Sequence, residues 1–418
     1  MSRRHQKRFS HPEVQELRGE RAAPRWVGSS GARAKHVETR APSADPHRED
    51  TERDASQTMD EREPQEGLPR RSGRGARQNI PNQFERLHID VDPAALDDEE
   101  LDAIETVYLR APAVSALSKN DSPDIPFTYS LNPYRGCEHG CPYCYARPSH
   151  EYWGLSAGLD FESKIFVKEN APELLRQAFE KKSWQPQSVA LSGNTDPYQP
   201  VERQLEITRT CLKVFLRHRN PVSIVTKSGL IRRDLDLLQD LAAENLVHVA
   251  VSVTTVQDEL PGKLEPRAAR PSLRLKVIEE LAEAGVPVGV LAAPIIPGLN
   301  DEELPAILQA VANRGARHAS YVLLRLPGAV EDVFVDWIEE HFPNRKNRIL
   351  GRLRDLRGGA LNDSEFGRRM RGTGEWATVI RQLFETARKQ AGLEAGAIEL
   401  DTSRFRRLRG GQIGLFEE

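Results

Sequence analysis

Residues 135–148 read RGCEHGCPYCYARP, and three of the chain's four cysteines stand inside that stretch, at Cys137, Cys141 and Cys144. The fourth, Cys211, lies far downstream in ITRTCLKVF, which reads as the interior of a helix and a buried small hydrophobe. A C-x-x-x-C-x-x-C loop lets three thiolates converge on one inorganic centre, and thiolates select zinc or iron–sulfur. A closed site of either kind takes four ligands, so three leave one position open to chemistry. For zinc, His139 inside the loop is the candidate fourth ligand.

Immediately before the loop stands FTYSL (127–131), the first of six short β-branched runs. The others are SVALS (188–192), VSIVT (222–226), VHVAVSV (247–253), VPVGVLAA (286–293) and SYVLLRL (320–326). Several are continuously apolar, as strands buried on both faces are. Amphipathic stretches separate them, at 171–182, 203–217, 232–243, 272–284, 302–314 and 330–341. Gly285 and Pro287 mark one helix end, and Asn300 before DEEL marks a helix start. This alternation makes an α/β fold with a parallel sheet, either a partial barrel or a doubly wound sheet. In both, ligands sit at the carboxyl ends of the strands. The cysteine loop, LSGNTDPYQP (191–200), TKSG (226–229), SVTT (252–255) and APIIPGLND (293–301) all fall at that end.

The chain has 418 residues, 38% hydrophobic and 29% charged, with a net charge of −3. Residues 1–80 hold 17 Lys/Arg against 13 Asp/Glu, so the remainder is net acidic, which argues against a body built mainly to grip nucleic acid. Residues 1–80 are poor in aliphatic side chains and read as a disordered charged extension. A lead-in over 81–125, with an acidic helix at 95–106, precedes a core over 126–329. A helical extension over 330–418 follows, in which 375–391 forms an amphipathic cover. Its arginine-rich runs, Arg345 to Arg357, Arg368, Arg369, Arg371 and Arg404 to Gly411, face either solvent or a polyanion. His341, Tyr321, Arg325 and Asp363 are candidates for substrate contact. No apolar run approaches the roughly 20 residues a bilayer span needs, and the N-terminus carries no secretory pattern. The expected compartment is the cytoplasm, where thiols stay reduced.

The loop, with Tyr143 before its third cysteine, resembles that of the radical S-adenosylmethionine (SAM) enzymes. SLNPYRGCEHGC, LSGNTDPYQPVE, TKS, LEPRA and APIIPGLND resemble the spore photoproduct lyase-like group within that superfamily. GGALNDSEFGRRMRGTGEWA (358–377) looks like the signature of an uncharacterised bacterial branch of it. The resemblance spans about residues 115–385. It implies a partial (β/α)6 TIM-like barrel, a 4Fe–4S cluster on Cys137, Cys141 and Cys144, and SAM on the open iron. The cofactors then generate a 5′-deoxyadenosyl radical. A one-electron reductant of flavodoxin or ferredoxin type is implied as partner, with an unidentified substrate for which nucleic acid is one class.

Carried over by position, Asn194, Thr195 and Asp196 would meet the SAM amino group, Lys227 its carboxylate and Ser252 its ribose or carboxylate. Tyr143 belongs to the cofactor shell, and Ile295 with Ile296 would lie near adenine. Arg267 would clamp the SAM carboxylate, with Glu265 holding it. One departure stands out: the lyases resemble one another in a hydrogen-donating cysteine after the second strand, and LSGNTD has none. The competing reading is an iron–sulfur or zinc protein that binds nucleic acid or serves as a structural module, without radical catalysis.

Overall fold

A computed structural model describes residues 73–84, 105–396 and 398–408, and the backbone of two strands at Gln15–Arg18 and Arg25–Val27. Six parallel strands form the main sheet in simple sequence order: β1 (Tyr129–Leu131), β2 (Val189–Leu191), β3 (Val222–Thr226), β4 (Val247–Ser252), β5 (Val288–Ile295) and β6 (His318–Leu323). Strand Leu117–Lys119 adds an antiparallel edge beside β1. A doubly wound sheet would reverse order at a switch point. This order never reverses, so the sheet curls into a partial barrel.

Helices return the chain between strands: α1 (Ala171–Glu180), α2 (Ile207–His218), α3 (Leu235–Ala243), α4 (Pro271–Glu283) and α5 (Leu304–Ala312). After β6 come α6 (Val330–His341), α7 (Lys346–Leu356) and α8 (Gly374–Gln390). Leu175, Leu212, Leu241, Val277 and Leu308 from α1 to α5 share one core cluster with the outward residues of the strands. On β4 those are Val247, Val249 and Val251, which leaves His248 and Ala250 on the inner face, as a two-residue period requires. Cys211 is fully buried in α2. Gly285 ends α4 with φ +76°, the left-handed conformation a helix stop uses.

Several expectations change. The helix at 95–106 falls almost wholly outside the described residues. Asn300 stands at the helix start as expected, but its side chain does not cap it: it accepts from Ile296 N at 2.7 Å and donates to Thr254 O at 2.8 Å, tying the exits of β4 and β5. The stretch assigned to disorder over 1–80 contains packed chain, since Ala76 and Ile80 are buried with Ala157 and Leu159. The lead-in supplies strand Val107–Arg110, which pairs with Gln15–Arg18 and with Lys164–Val167 in a second sheet. Tyr134–Arg135 ends that second sheet and leads straight into the cysteine loop.

Candidate cofactor site

The cysteine loop hangs between Tyr134–Arg135 and Lys164–Val167, with Gly136 and Gly140 at φ +81° and +68°. Arg147 fixes its shape from beneath, donating from Nε to Cys141 O at 3.0 Å and to the carbonyls of Ala157 and Gly158. Its charge meets Glu162, also fully buried, whose other bonds come from Gly75 N (2.9 Å) and Ala76 N (2.8 Å). The N-terminal stretch is thereby sewn onto the loop.

All four cysteines are free thiols. Cys137 and Cys141 are buried, and Cys144 is half-buried. Burial pushes all three loop thiols up, Cys141 to about 12 although Lys227 pulls it down, and Cys144 against the pull of Arg147. Among the described residues, no three His, Cys, Asp or Glu side chains gather tightly enough to hold a single metal ion. A tetrahedral zinc site, with Zn–S near 2.3 Å, would draw its thiolates to within about 4 Å of one another. A cuboidal cluster seats each thiolate on its own iron and asks for wider spacing. His139 Nδ1 stands 3.5 Å from Asp196 Oδ2. Burial lowers its pKa, which keeps the ring neutral.

Of the residues expected at the strand exits, Asp196, Lys227, Glu265 and Arg267 border this loop, and they divide by whether they are already engaged. Asp196 accepts from Thr226 Oγ1 (2.7 Å), Lys227 N (2.7 Å) and Tyr198 N (2.9 Å), so it locks the exits of β2 and β3 together. Thr195 Oγ1 donates to Tyr134 O at 3.3 Å. Asn194 is exposed, and its backbone N–H is held by Asn132 Oδ1 at 3.0 Å. Lys227 Nζ lies 5.7 Å from the Tyr143 ring centre. Burial opposes its charge, yet Glu265 and Cys141 outweigh that and raise its pKa.

Glu265 is the hub of this side. It accepts from Tyr143 OH, from Thr254 Oγ1 at 2.6 Å and from Arg274. Burial alone would raise its carboxyl, but Arg274 and Lys227 hold it at about 2. The expected Glu265–Arg267 couple is therefore corrected. Arg274, nine residues on in the first turn of α4, takes Glu265 and also binds Ser252 O at 3.1 Å. Arg267 turns to Glu138 at 3.2 Å. Ile295 is fully buried in the barrel core, whereas Ile296 packs in the cluster that holds Cys141 and Tyr143. A pocket of about 460 Å³ borders the loop at His139, but of the expected cofactor residues only Arg267 lines it. Sequence reasoning missed Arg147, Glu162 and Arg274. Arg147 stood in the quoted stretch, while nothing local marked the other two.

The Radical SAM superfamily profile matches residues 131–311. An uncharacterised protein of Mycobacterium tuberculosis is 36% identical over 245 residues, 58% of this chain and 71% of its own length. An uncharacterised protein of Methanocaldococcus jannaschii is 31% identical over 175 residues, 42% of this chain and 63% of its own. Among solved structures, spore photoproduct lyase complexed with dinucleoside spore photoproduct matches with a TM-score of 0.52 at 16% identity, covering 68% of this chain and 80% of that one. That likeness concerns the fold alone. The profile begins at the last residue of β1 and runs into α5, taking in the cysteine loop and the strand exits around it, and the chain belongs to the radical SAM superfamily of enzymes.

Proposed function

We propose that this chain binds a 4Fe–4S cluster and SAM in one cup at the carboxyl ends of β1 to β5 and cleaves SAM reductively to act on a substrate. The observation that carries the reading is the buried loop of three free thiols beside a ring of matched charges, Lys227, Glu265 and Arg274. When bound, the cofactors supply the reducing electron and the 5′-deoxyadenosyl radical. The protein's share is placement. Cys137, Cys141 and Cys144 hold the cluster, and the carbonyl of Cys141 is pinned by Arg147. Lys227, kept charged near Cys141, offsets thiolate charge and meets the SAM carboxylate. Asn194 is the exposed group for the SAM amino end, while Thr195 and Asp196 position it and Lys227. Tyr143 and Ser252 line the cup, and Glu265 orients Tyr143. Ile296 is better placed than Ile295 to meet adenine, and Arg267 anchors the loop through Glu138.

The electron donor in this reading is a flavodoxin- or ferredoxin-type protein of the cytoplasm. Among the described residues, no helix is long and apolar enough to cross a membrane. Nucleic acid is the substrate class to test first, on the strength of the dinucleoside held by the lyase of similar fold. Thymine-dimer repair is not carried over, because the only cysteine outside the loop is buried in α2.

Anaerobic reconstitution with iron and sulfide tests the reading. The expected product is a brown protein that converts SAM to 5′-deoxyadenosine under dithionite, with Cys141→Ala abolishing both iron binding and cleavage. A colourless protein with stoichiometric zinc overturns it.

A further inference from the structure

The stretch between α7 and α8 spans the open side of the barrel. At one edge, Leu323 N donates to Met370 O at 3.1 Å and Leu326 N to Asn362 Oδ1 at 3.2 Å, which fixes the stretch to the exit of β6. At the other, Asp124, in the turn between Leu117–Lys119 and β1, accepts from Gly367 N at 2.7 Å and Arg369 Nε at 2.6 Å. The two free edges of the sheet are joined by this strap.

Four arginines meet beneath and along it. Arg369 is matched by Asp124, and Arg368 by Asp363 and Glu365. Arg325 and Arg357 have no carboxylate within ion-pair distance among the described residues. Arg357 is 3% exposed, and its NH groups reach only carbonyls, Leu324 O at 2.7 Å, Arg369 O at 2.9 Å and Arg368 O at 3.3 Å. Arg325, half-buried, reaches only Met370 Sδ at 3.5 Å and lies 5.5 Å from the Tyr145 ring centre. The Nε atoms of Arg325, Arg357 and Arg368 are all buried without a partner. Burial lowers the pKa of Arg357 to about 10, with Asp363 opposing and Arg325 adding to the drop. Arg325 is lowered by burial and by Arg369. Guanidinium does not give up its proton at neutral pH, so this charge persists without a carboxylate in ion-pair contact, Asp124 and Asp363 acting on it only from farther off.

We propose that Arg325 and Arg357, flanked by Arg368, form an oxyanion subsite under the strap that seats a phosphoryl group of the substrate. The assignment to substrate rests on the radical SAM reading above, since Tyr145, under Arg325, is the residue after Cys144. A phosphoryl group suits the site because its oxygens can accept from the Arg325 fork while Arg357 and Arg368 add positive charge behind it. Two sources share that chemistry, a phosphodiester in a nucleic acid strand and a phosphate monoester on a small metabolite.

The test uses the full chain in chloride buffer. Inorganic phosphate, titrated calorimetrically, is expected to bind in the millimolar range. Arg325→Gln should weaken it at least about tenfold and Arg325→Lys less, because an ammonium keeps charge but loses the fork. Thymidine 5′-monophosphate and a twelve-residue oligothymidylate then separate the sources. Tighter binding of the oligomer, weakening with salt, assigns a phosphodiester; tighter binding of the monophosphate assigns a monoester. A second measurement is independent of any variant: phosphate should shield Arg325 from phenylglyoxal, read by mass spectrometry. No phosphate binding, equal binding by Arg325→Gln, or no shielding overturns the subsite. Deoxyadenosine formation without substrate is scored separately. Cleavage without phosphate binding removes only the subsite, and phosphate binding without cleavage removes only the radical reading.

Discussion

Arg274 and Arg357 are almost equally buried, at 2% and 3% exposure, and the protein treats them in opposite ways. Arg274 is given Glu265, two backbone carbonyls and a hydroxyl, and its pKa is raised against the cost of burial. Arg357 is given carbonyls alone, and its pKa falls. His248, on the inner face of β4 with Nε2 unpartnered, shows a third outcome: burial and the neighbouring His318 lower it to about 4, and it sheds its charge. An imidazole can escape burial by losing a proton and a guanidinium cannot. Charge matched within the chain builds the cup; charge left unmatched under the strap waits for a ligand.

The contrast breaks most readily at Glu265. Glu265→Ala should destabilise the protein by about 3–5 kcal/mol in chemical denaturation, because Arg274 is then buried alone. Replacing both, as Glu265→Leu with Arg274→Met, should recover much of that loss. If the single change costs under about 1 kcal/mol, the matched pair is not what holds this side of the cup.

The neutral solution has its own pH signature. His248 has a folded pKa of about 4 against an ordinary 6.5, so the unfolded chain takes up its proton first. Its contribution is whole above pH 6.5 and is lost as pH falls from 6.5 through 4, up to about 3 kcal/mol in all. His248→Gln should flatten stability across that window by close to one proton, and an unchanged slope would show that the ring titrates freely.

Smaller effects sharpen the comparison. Tyr143→Phe removes one donor from Glu265 and should cost about 2 kcal/mol, since the acceptor is charged. Arg325→Met should change melting in phosphate-free buffer least of all, within about 0.5 kcal/mol, and should erase any stabilisation that phosphate gives the parent protein. A large loss there would mean that Arg325 is a structural group after all.

The barrel was readable because its strands are apolar runs and its helices keep their period. Val222–Thr226 and Val330–His341 fall where the pattern put them. α7 was read as a charge run, yet Ile349, Leu350, Leu353 and Leu356 carry helical spacing inside it and are buried. Lys164–Val167 is too short to show a period of two. At the site, nearness in sequence misled: Arg267 stands two residues from Glu265, but the turn into α4 presents Arg274 instead. Residues 73–84 gave no hydrophobic signal because they dock largely through backbone N–H groups, polar side chains and small residues.

That docking has a consequence for how the protein is assembled. A Cβ at position 75 would sit 1.6 Å from the Gly140 carbonyl oxygen, so the chain lies directly on the cysteine loop. This segment leaves the ribosome some sixty residues ahead of the loop it covers, and must wait for it. Its release breaks the Gly75 and Ala76 bonds to Glu162 and leaves the barrel strands paired. Hydrogen exchange at Gly75 and Ala76 therefore records whether this segment is seated on the cysteine loop.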